Sequence, residues 1–318
     1  MTKNIPDNIY DVVIIGGGPA GLTAGLYATR ARLKTCLIES YSIMSQATMT
    51  EIIENYPAIE KIGGFDIIYK MKEQAKSFGL QEASGNVTEI IPEGATDLYF
   101  TIKSDSGNYS AFSVIIASGA SSKKLNIAGE KEFTGKGVSY CATCDGAFFK
   151  NKNIAVIGGG DTAVEEAIFL TRFGQKVTII HRRDKLRATK IIQERAFNNE
   201  KISFIWDSIV DEIKGKEKVE EIILKNVKTG EKINVSCDGV FIFTGWEPNT
   251  GFARGLVDMD ENGGILVNAN MATSRKGIFA AGDCAKRPLH QVITACGDGA
   301  IAGNSVYKFI EDIKNIEI

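Results

Sequence analysis

Cys141-Ala142-Thr143-Cys144 places two thiols one short turn apart, and Asp145-Gly146 follows at once. A CxxC spacing suits two chemistries: a reversible disulfide, or half of a four-ligand zinc site. The pair stands between two glycine-rich turns, Gly16-Gly17-Gly18-Pro19-Ala20-Gly21 and Gly158-Gly159-Gly160-Asp161-Thr162-Ala163. Each turn follows an apolar run that reads as a strand, as a dinucleotide loop requires. A thiol pair between two such loops points to redox chemistry. No second ligand pair stands at zinc spacing, so the metal reading has only half its donors.

The elements that would hold these residues are legible around them. From Asp11 to Glu39 the chain reads as strand, glycine turn, helix from Ala20 to Ala31 and a second strand, Thr35 to Ile38, that delivers Glu39. In such a unit Gly16 makes the tight turn, Gly18 lets the backbone approach a pyrophosphate, and Gly21 lets helix and strand pack closely. Glu39 stands where a carboxylate accepts the hydroxyls of a ribose. The unit recurs from Asn153 to Asp184, with a strand at 154–157, a helix from Thr162 to Phe173 and a strand from Lys176 to Ile180. There His181-Arg182-Arg183 and Arg187 replace the single acid, and guanidinium groups at that place suit the 2′-phosphate of NADPH.

Short alternating strands fill 86–116 and end in Val114-Ile115-Ile116-Ala117-Ser118-Gly119. A similar ending recurs at Val240-Phe241-Ile242-Phe243-Thr244-Gly245. Both read as strands leading to a domain junction, with hinges near 119–125 and 245–250 and glycines at 119 and 245. The expected fold class is α/β, with two Rossmann-like dinucleotide-binding domains, one inserted into the other. The boundaries are 1–118 with 250–318 for the discontinuous domain, and 119–249 for the insertion that carries the CxxC. The tail adds a strand ending in Gly282-Asp283-Cys284, and then Leu289-His290-Gln291 opening a helix from Val292 to Phe309. An aspartate there can hold sugar hydroxyls or simply cap the helix.

The 318 residues carry 37 basic and 39 acidic groups for a net charge of −2, which argues against a nucleic-acid or anionic-membrane footprint. The polar start, Met1 to Asp11, lacks a signal core, and no apolar run approaches the ~18 residues of a membrane span. A cytoplasmic location is expected. The other four cysteines, 36, 237, 284 and 296, sit among apolar or small neighbours and read as buried core residues.

On these motifs the sequence resembles the low-molecular-weight, bacterial-type thioredoxin reductase family over nearly its full length. The carrying residues are Gly16 to Gly21 with Glu39, Cys141 to Gly146, Gly158 to Ala167, His181 to Ala188, and Gly282-Asp283 with His290-Gln291. The resemblance implies FAD in the discontinuous domain, NADPH in the insertion, a homodimer, and a thioredoxin-like protein as electron acceptor. It implies that Cys144 lies against the flavin, that Cys141 attacks the partner's disulfide, and that Asp145 shuttles the proton, although Asp before Gly also suits a plain turn. For FAD it points to Gly16, Gly18, Pro19, Ala20, Gly21, Glu39, Gln46, Thr48, Asn55, Val87, Asp283, His290, Gln291 and Val292. For NADPH it points to Gly158, Gly160, Asp161, Thr162, Ala163, His181, Arg182, Arg183 and Arg187.

Three stretches depart from the family pattern. Leu186 replaces a phenylalanine and keeps an apolar role. Met44-Ser45-Gln46 replaces Gly-Gly-Gln, so the backbone there is expected to pass less closely to the flavin. His290 replaces an arginine, putting a group that titrates near neutral pH at the site. Rival readings are a same-fold reductase fed by ferredoxin, a dithiol oxidase without NADPH, the reductase of a peroxidase system, and a zinc-binding or redox-sensing adaptor. The arginine cluster and intact second loop oppose the first two, and the third carries an additional amino-terminal module absent from this sequence.

Overall fold

Strands that are apolar on both faces must be covered on both faces, which sets the architecture. The computed structural model describes residues 6–40, 44–50, 52–94 and 98–316. Its chain forms two compact units, 1–121 with 247–318, and 122–246.

In the first unit Tyr10–Ile15 is fully buried from Val12 onward and lies between two parallel neighbours, Thr35–Glu39 and Gly107–Ile116. Gln81–Ser84 extends the sheet beyond Thr35–Glu39. Besides Tyr10–Ile15, the ten-residue strand Gly107–Ile116 serves two further partners. Its first half pairs antiparallel with Tyr99–Ser104, which pairs in turn with Val87–Glu93. Its second half pairs parallel with the late strand Ile278–Ala280, so the carboxy-terminal segment is built into this sheet. Helices Pro19–Arg30, Gly64–Ser77 and Val292–Ile316 pack against the sheet through Leu22, Ala24, Ile67, Ala302 and Val306. The last helix runs beyond the expected Phe309. It meets the first helix through small residues: a Cβ on Gly299 would come within 2.2 Å of the Ala20 carbonyl oxygen, so backbone lies on backbone there.

The second unit repeats the plan. Five parallel strands run in the order Ile202–Ile205, Lys176–Ile180, Asn153–Gly158, Gly239–Phe243 and Val138–Ser139. Beside them stands an antiparallel three-stranded sheet, Ser208–Gly215, Val219–Asn226 and Lys232–Ser236. Helix Asp161–Leu170 stops three residues before the expected Phe173, because the chain turns through 171–173 and the Gly174 N–H closes on the Leu170 carbonyl at 2.9 Å. The crossings between units, Ala120–Ser122 and Trp246–Pro248, pair as a two-stranded ribbon.

One buried charge organises the entry to the second unit. Glu130 is 3% exposed, and its carboxylate accepts the N–H groups of Leu125, Asn126 and Ile127 and the hydroxyl of Tyr140 at 2.7 Å. Four donors compensate the burial of the carboxylate. Burial, and after it the same bond, pushes the Tyr140 phenol well above its ordinary range. Tyr140 immediately precedes Cys141, so this one carboxylate fixes both the entering segment and the approach to the thiol pair.

Candidate redox and dinucleotide sites

Cys141 and Cys144 are joined as a disulfide, with their Cα atoms 5.4 Å apart. The turn Ala142–Asp145 between them is helical, and Cys141 is its N-cap: Cys141 Sγ accepts the Cys144 N–H at 3.2 Å and lies 3.3 Å from Thr143 Oγ1. Ser139 holds the residue from behind, accepting the Cys141 N–H at 3.1 Å. Cys141 is half-buried and Cys144 exposed. When the disulfide is reduced, donors aimed at Cys141 Sγ favour its thiolate, the nucleophile in exchange. Asp145 is half-buried, and its N–H donates to the Cys141 carbonyl. Among the described residues no group of three or more His, Cys, Asp or Glu is placed to hold a metal ion.

The remaining cysteines are free and buried. Burial pushes the thiols of Cys36 and Cys284 up to about 11 and that of Cys237 up to about 12, and it raises Cys296. They stay protonated at neutral pH and do not compete with the pair.

In the second unit the glycine loop and the arginine segment form one body. Gly159 O accepts the N–H groups of both Arg187 and Ala188, at 2.7 and 3.2 Å. The Asp161 carboxylate accepts the Thr189 N–H at 2.6 Å, so this residue clamps the start of helix Lys190–Phe197 onto the loop. Leu186 and Ala188 are buried anchors, and they leave Arg182, Arg183 and Arg187 exposed beside the loop. Leu186 therefore keeps the expected apolar role. His181 is only 5% exposed and packs on Gly159, where a Cβ would come within 2.4 Å of its Nδ1. Its Nε2 is buried without a partner. Burial, then Arg187, Arg183 and Arg182, pull its pKa down, so the ring is neutral at physiological pH. Thr162 and Ala163 lie in the first turn of the helix, and Ala163 is buried against the strand.

The first unit gathers its candidates from four distant stretches. Gly16 is forced to be glycine by its φ of 113° and by the Ala117 carbonyl 2.2 Å from any Cβ it could carry. Gly21 packs on Gly16, Pro19 opens the helix, and Ala20 is buried behind it. Gln46 donates to the Ala120 carbonyl, and Thr48 donates its N–H to Ser45 Oγ at 3.2 Å. Asn55 and Gln291, 236 positions apart, are bonded side chain to side chain at 2.9 Å. His290 Nδ1 lies 3.3 Å from Asp283 Oδ1, a bond that raises the His290 pKa. Val87 begins its strand and Val292 its helix. Arg287 and Asp298, which carried no motif, complete this corner: Asp298 accepts Arg287 Nε at 2.9 Å and the Gly282 N–H at 3.2 Å.

The Met44-Ser45 departure has a local explanation. Ser45 is extended at φ −64° and caps helix Gln46–Met49 with its hydroxyl, so no glycine conformation is needed. Its Cβ also lies 3.5 Å from where a Gly18 Cβ would stand, which places it beside the first loop.

Both loops fit a dinucleotide. Gly18 and Gly160 adopt extended backbone that any residue tolerates, at φ −80° and −91°. A Cβ on Gly160 would meet nothing within 4 Å, and one on Gly18 only Ser45. Neither is glycine for the sake of the fold, and each opens its helix where N–H groups face outward toward an anion. A carboxylate ends the matching strand of the first unit and three arginines follow that of the second, which suits a ribose diol in one and a 2′-phosphate in the other.

The sequence profile of the pyridine nucleotide-disulphide oxidoreductases matches residues 10–299. Thioredoxin reductase of Bacillus subtilis is 49% identical over 309 residues, 97% of each chain. The solved thioredoxin reductase of Lactococcus lactis is 50% identical with a TM-score of 0.93, covering 95% of this chain and 99% of its own. A ferredoxin-flavin thioredoxin reductase from Clostridium acetobutylicum is more distant, at 32% identity and a TM-score of 0.54 over 97% and 99% of the two chains. The chain belongs to the pyridine nucleotide-disulphide oxidoreductase family, in its bacterial-type thioredoxin reductase branch.

Proposed function

We propose that the first unit binds FAD, that the inserted unit binds NADPH, and that electrons leave through Cys141 to the disulfide of a thioredoxin-like protein. The activity is that of an NADPH-dependent thioredoxin reductase. FAD, when bound, supplies the two-electron relay between NADPH and the Cys141–Cys144 disulfide. The observation that carries the proposal is a disulfide N-capped on Cys141 Sγ, in the same unit as a glycine loop fused to an arginine cluster.

The chain's own residues then have separable tasks. Gly160 and the helix it opens take the pyrophosphate of NADPH, and Arg182, Arg183 and Arg187 take its 2′-phosphate. Asp161 and His181 act from behind, one clamping the segment 187–189 and the other backing Gly159. Glu39 holds the FAD ribose, with Gly18 at the phosphates and Asp283, His290, Gln291 and Asn55 at the opposite corner. Cys144 takes the electron pair into the disulfide. The Cys141 thiolate then attacks one sulfur of the partner's disulfide and releases the other as a thiolate, which Asp145 protonates. Cys144 resolves the mixed disulfide, so one disulfide is reformed here as one is reduced in the partner.

Nucleotide and thiol pair belong to one unit and must serve the other unit in turn. The two crossings, near 119–125 and 245–250, are therefore assigned as hinges. Homodimerisation and a cytoplasmic location complete the reading. Four free buried thiols suit a reducing compartment, and among the described residues no helix is long and apolar enough to cross a membrane. The arginine cluster favours NADPH over ferredoxin as donor. Cys141→Ser tests the assignment: turnover of thioredoxin should stop while NADPH still bleaches the flavin absorbance, and loss of both together would refute the division of roles.

A further inference from the structure

Glu39 ends its strand in the company of a second carboxylate. On the neighbouring parallel strand Glu82 pairs with Leu37, which puts Glu39 and Glu82 on one face of the sheet at diagonal positions. Like charges so placed repel. Lys72, from helix Gly64–Ser77, stands between them: its Nζ lies 2.8 Å from Glu39 Oε2 and 3.1 Å from Glu82 Oε1. Lys76, one turn on, holds the other oxygen of Glu82 at 2.7 Å. The Lys72 side chain is 24% exposed, so the pairing is screened less than a surface bridge. Burial works against its charge, but the bonds to Glu39 and Glu82 outweigh it and raise the Lys72 pKa.

The carboxylate so held lies over the first glycine loop, where a Cβ on Gly17 would come within 2.6 Å of Glu39 Oε1. Oε1 has no bond to Lys72, and Oε2 keeps a second lone pair, so both oxygens still accept from a diol. Without Lys72, Glu82 would keep Lys76 alone, and Glu39 would face that carboxylate across adjacent strands with no cation between them. Glu39 would then turn toward water and away from the loop, which spoils the acceptor.

We propose that Lys72 is a positioning residue for FAD: it cancels the repulsion of Glu82 and so keeps Glu39 over the loop before the dinucleotide arrives. The proposal rests on the reading of Glu39 as the ribose acceptor.

The test is FAD affinity of the apoprotein, read by quenching of flavin fluorescence on binding, with thermal unfolding of each apoprotein as the folding control. Lys72→Met should raise the dissociation constant about three- to fivefold, the range of a partly exposed ion pair. Glu82→Gln added to Lys72→Met should bring it back to within about twofold of wild type, because the repelling charge is gone. A general loss of stability would not be rescued in that way. Affinity unchanged or tightened in Lys72→Met, or a double variant as weak as the single, would overturn the proposal. A Glu39→Ala variant separates the layers: unchanged affinity there removes the ribose reading itself, whereas weakened Glu39→Ala beside unaffected Lys72→Met removes only the role of Lys72.

Discussion

Gly160→Ala should leave the protein folded and cripple its use of NADPH. The backbone at Gly160, φ −91° and ψ −178°, is open to alanine, and the added Cβ meets no heavy atom within 4 Å. The folding cost is limited to replacing a glycine N-cap by alanine, at most about 1 kcal/mol, or about 4 °C in Tm. The ligand cost is larger. On the proposed reading the methyl group would stand in the way of a phosphate approaching the first N–H groups of helix Asp161–Leu170, and weakening two charge-assisted bonds there would cost roughly 2–4 kcal/mol. That is a rise of about 30-fold or more in the NADPH concentration that half-bleaches the flavin. Gly158→Ala is the contrasting case: with φ at 152° and the Phe243 carbonyl oxygen 2.4 Å from the new Cβ, it should lose stability first. The assay is anaerobic flavin bleaching against NADPH, with Tm measured on the same samples and bound FAD as an internal control. Half-bleaching within about twofold of wild type would rule out Gly160 as the phosphate approach, and a Tm loss equal to that of Gly158→Ala would show that Gly160 serves the fold instead.

Two further outcomes follow from the charged groups. Arg182→Ala with Arg183→Ala should narrow the preference for NADPH over NADH by about tenfold or more, since each guanidinium–phosphate bond lost is worth ~1.5–3 kcal/mol in favourable geometry. An unchanged ratio would remove the 2′-phosphate assignment. At the other site, the bond to Asp283 raises the His290 pKa above its unfolded value near 6.5. The stabilisation is therefore complete below about pH 6.5 and is lost as pH rises through the raised folded pKa. The pair is partly exposed, so the effect is a few tenths of a kcal/mol. Thermal unfolding of wild type and His290→Gln from pH 5.5 to 8.5 should give curves that converge as pH rises, and a gap that widens instead would contradict the pairing.

The sequence carried the parts of this molecule whose signals are local. Both βαβ units, the buried character of Cys36, Cys237, Cys284 and Cys296, and the thiol pair follow from short-range pattern. What it could not carry depends on distance along the chain. Asn55 meets Gln291, and Lys72 meets both Glu39 and Glu82, only because sheet order and helix packing bring them together. Asp161 and His181 read as nucleotide contacts by motif. The fold directs one to the Thr189 N–H and the other against Gly159, an orientation that spacing does not encode. Glu130 lies in an ordinary charged stretch, and nothing short of the loop's backbone reveals a carboxylate holding three N–H groups and a phenol. Ser45 shows the reverse case, where a departure from the family pattern acquires a capping role visible only in the turn it begins.

If electrons from NADPH reach the Cys141–Cys144 disulfide, a count of reactive thiols must register them. The chain has six cysteines, of which four are free, so oxidised protein denatured without oxygen should show four reactive thiols. After anaerobic incubation of the FAD-loaded protein with excess NADPH, the count should rise by about two, one electron pair having opened the one disulfide. A bleached flavin with the count still at four would mean that the electrons stop at the flavin and never open the disulfide.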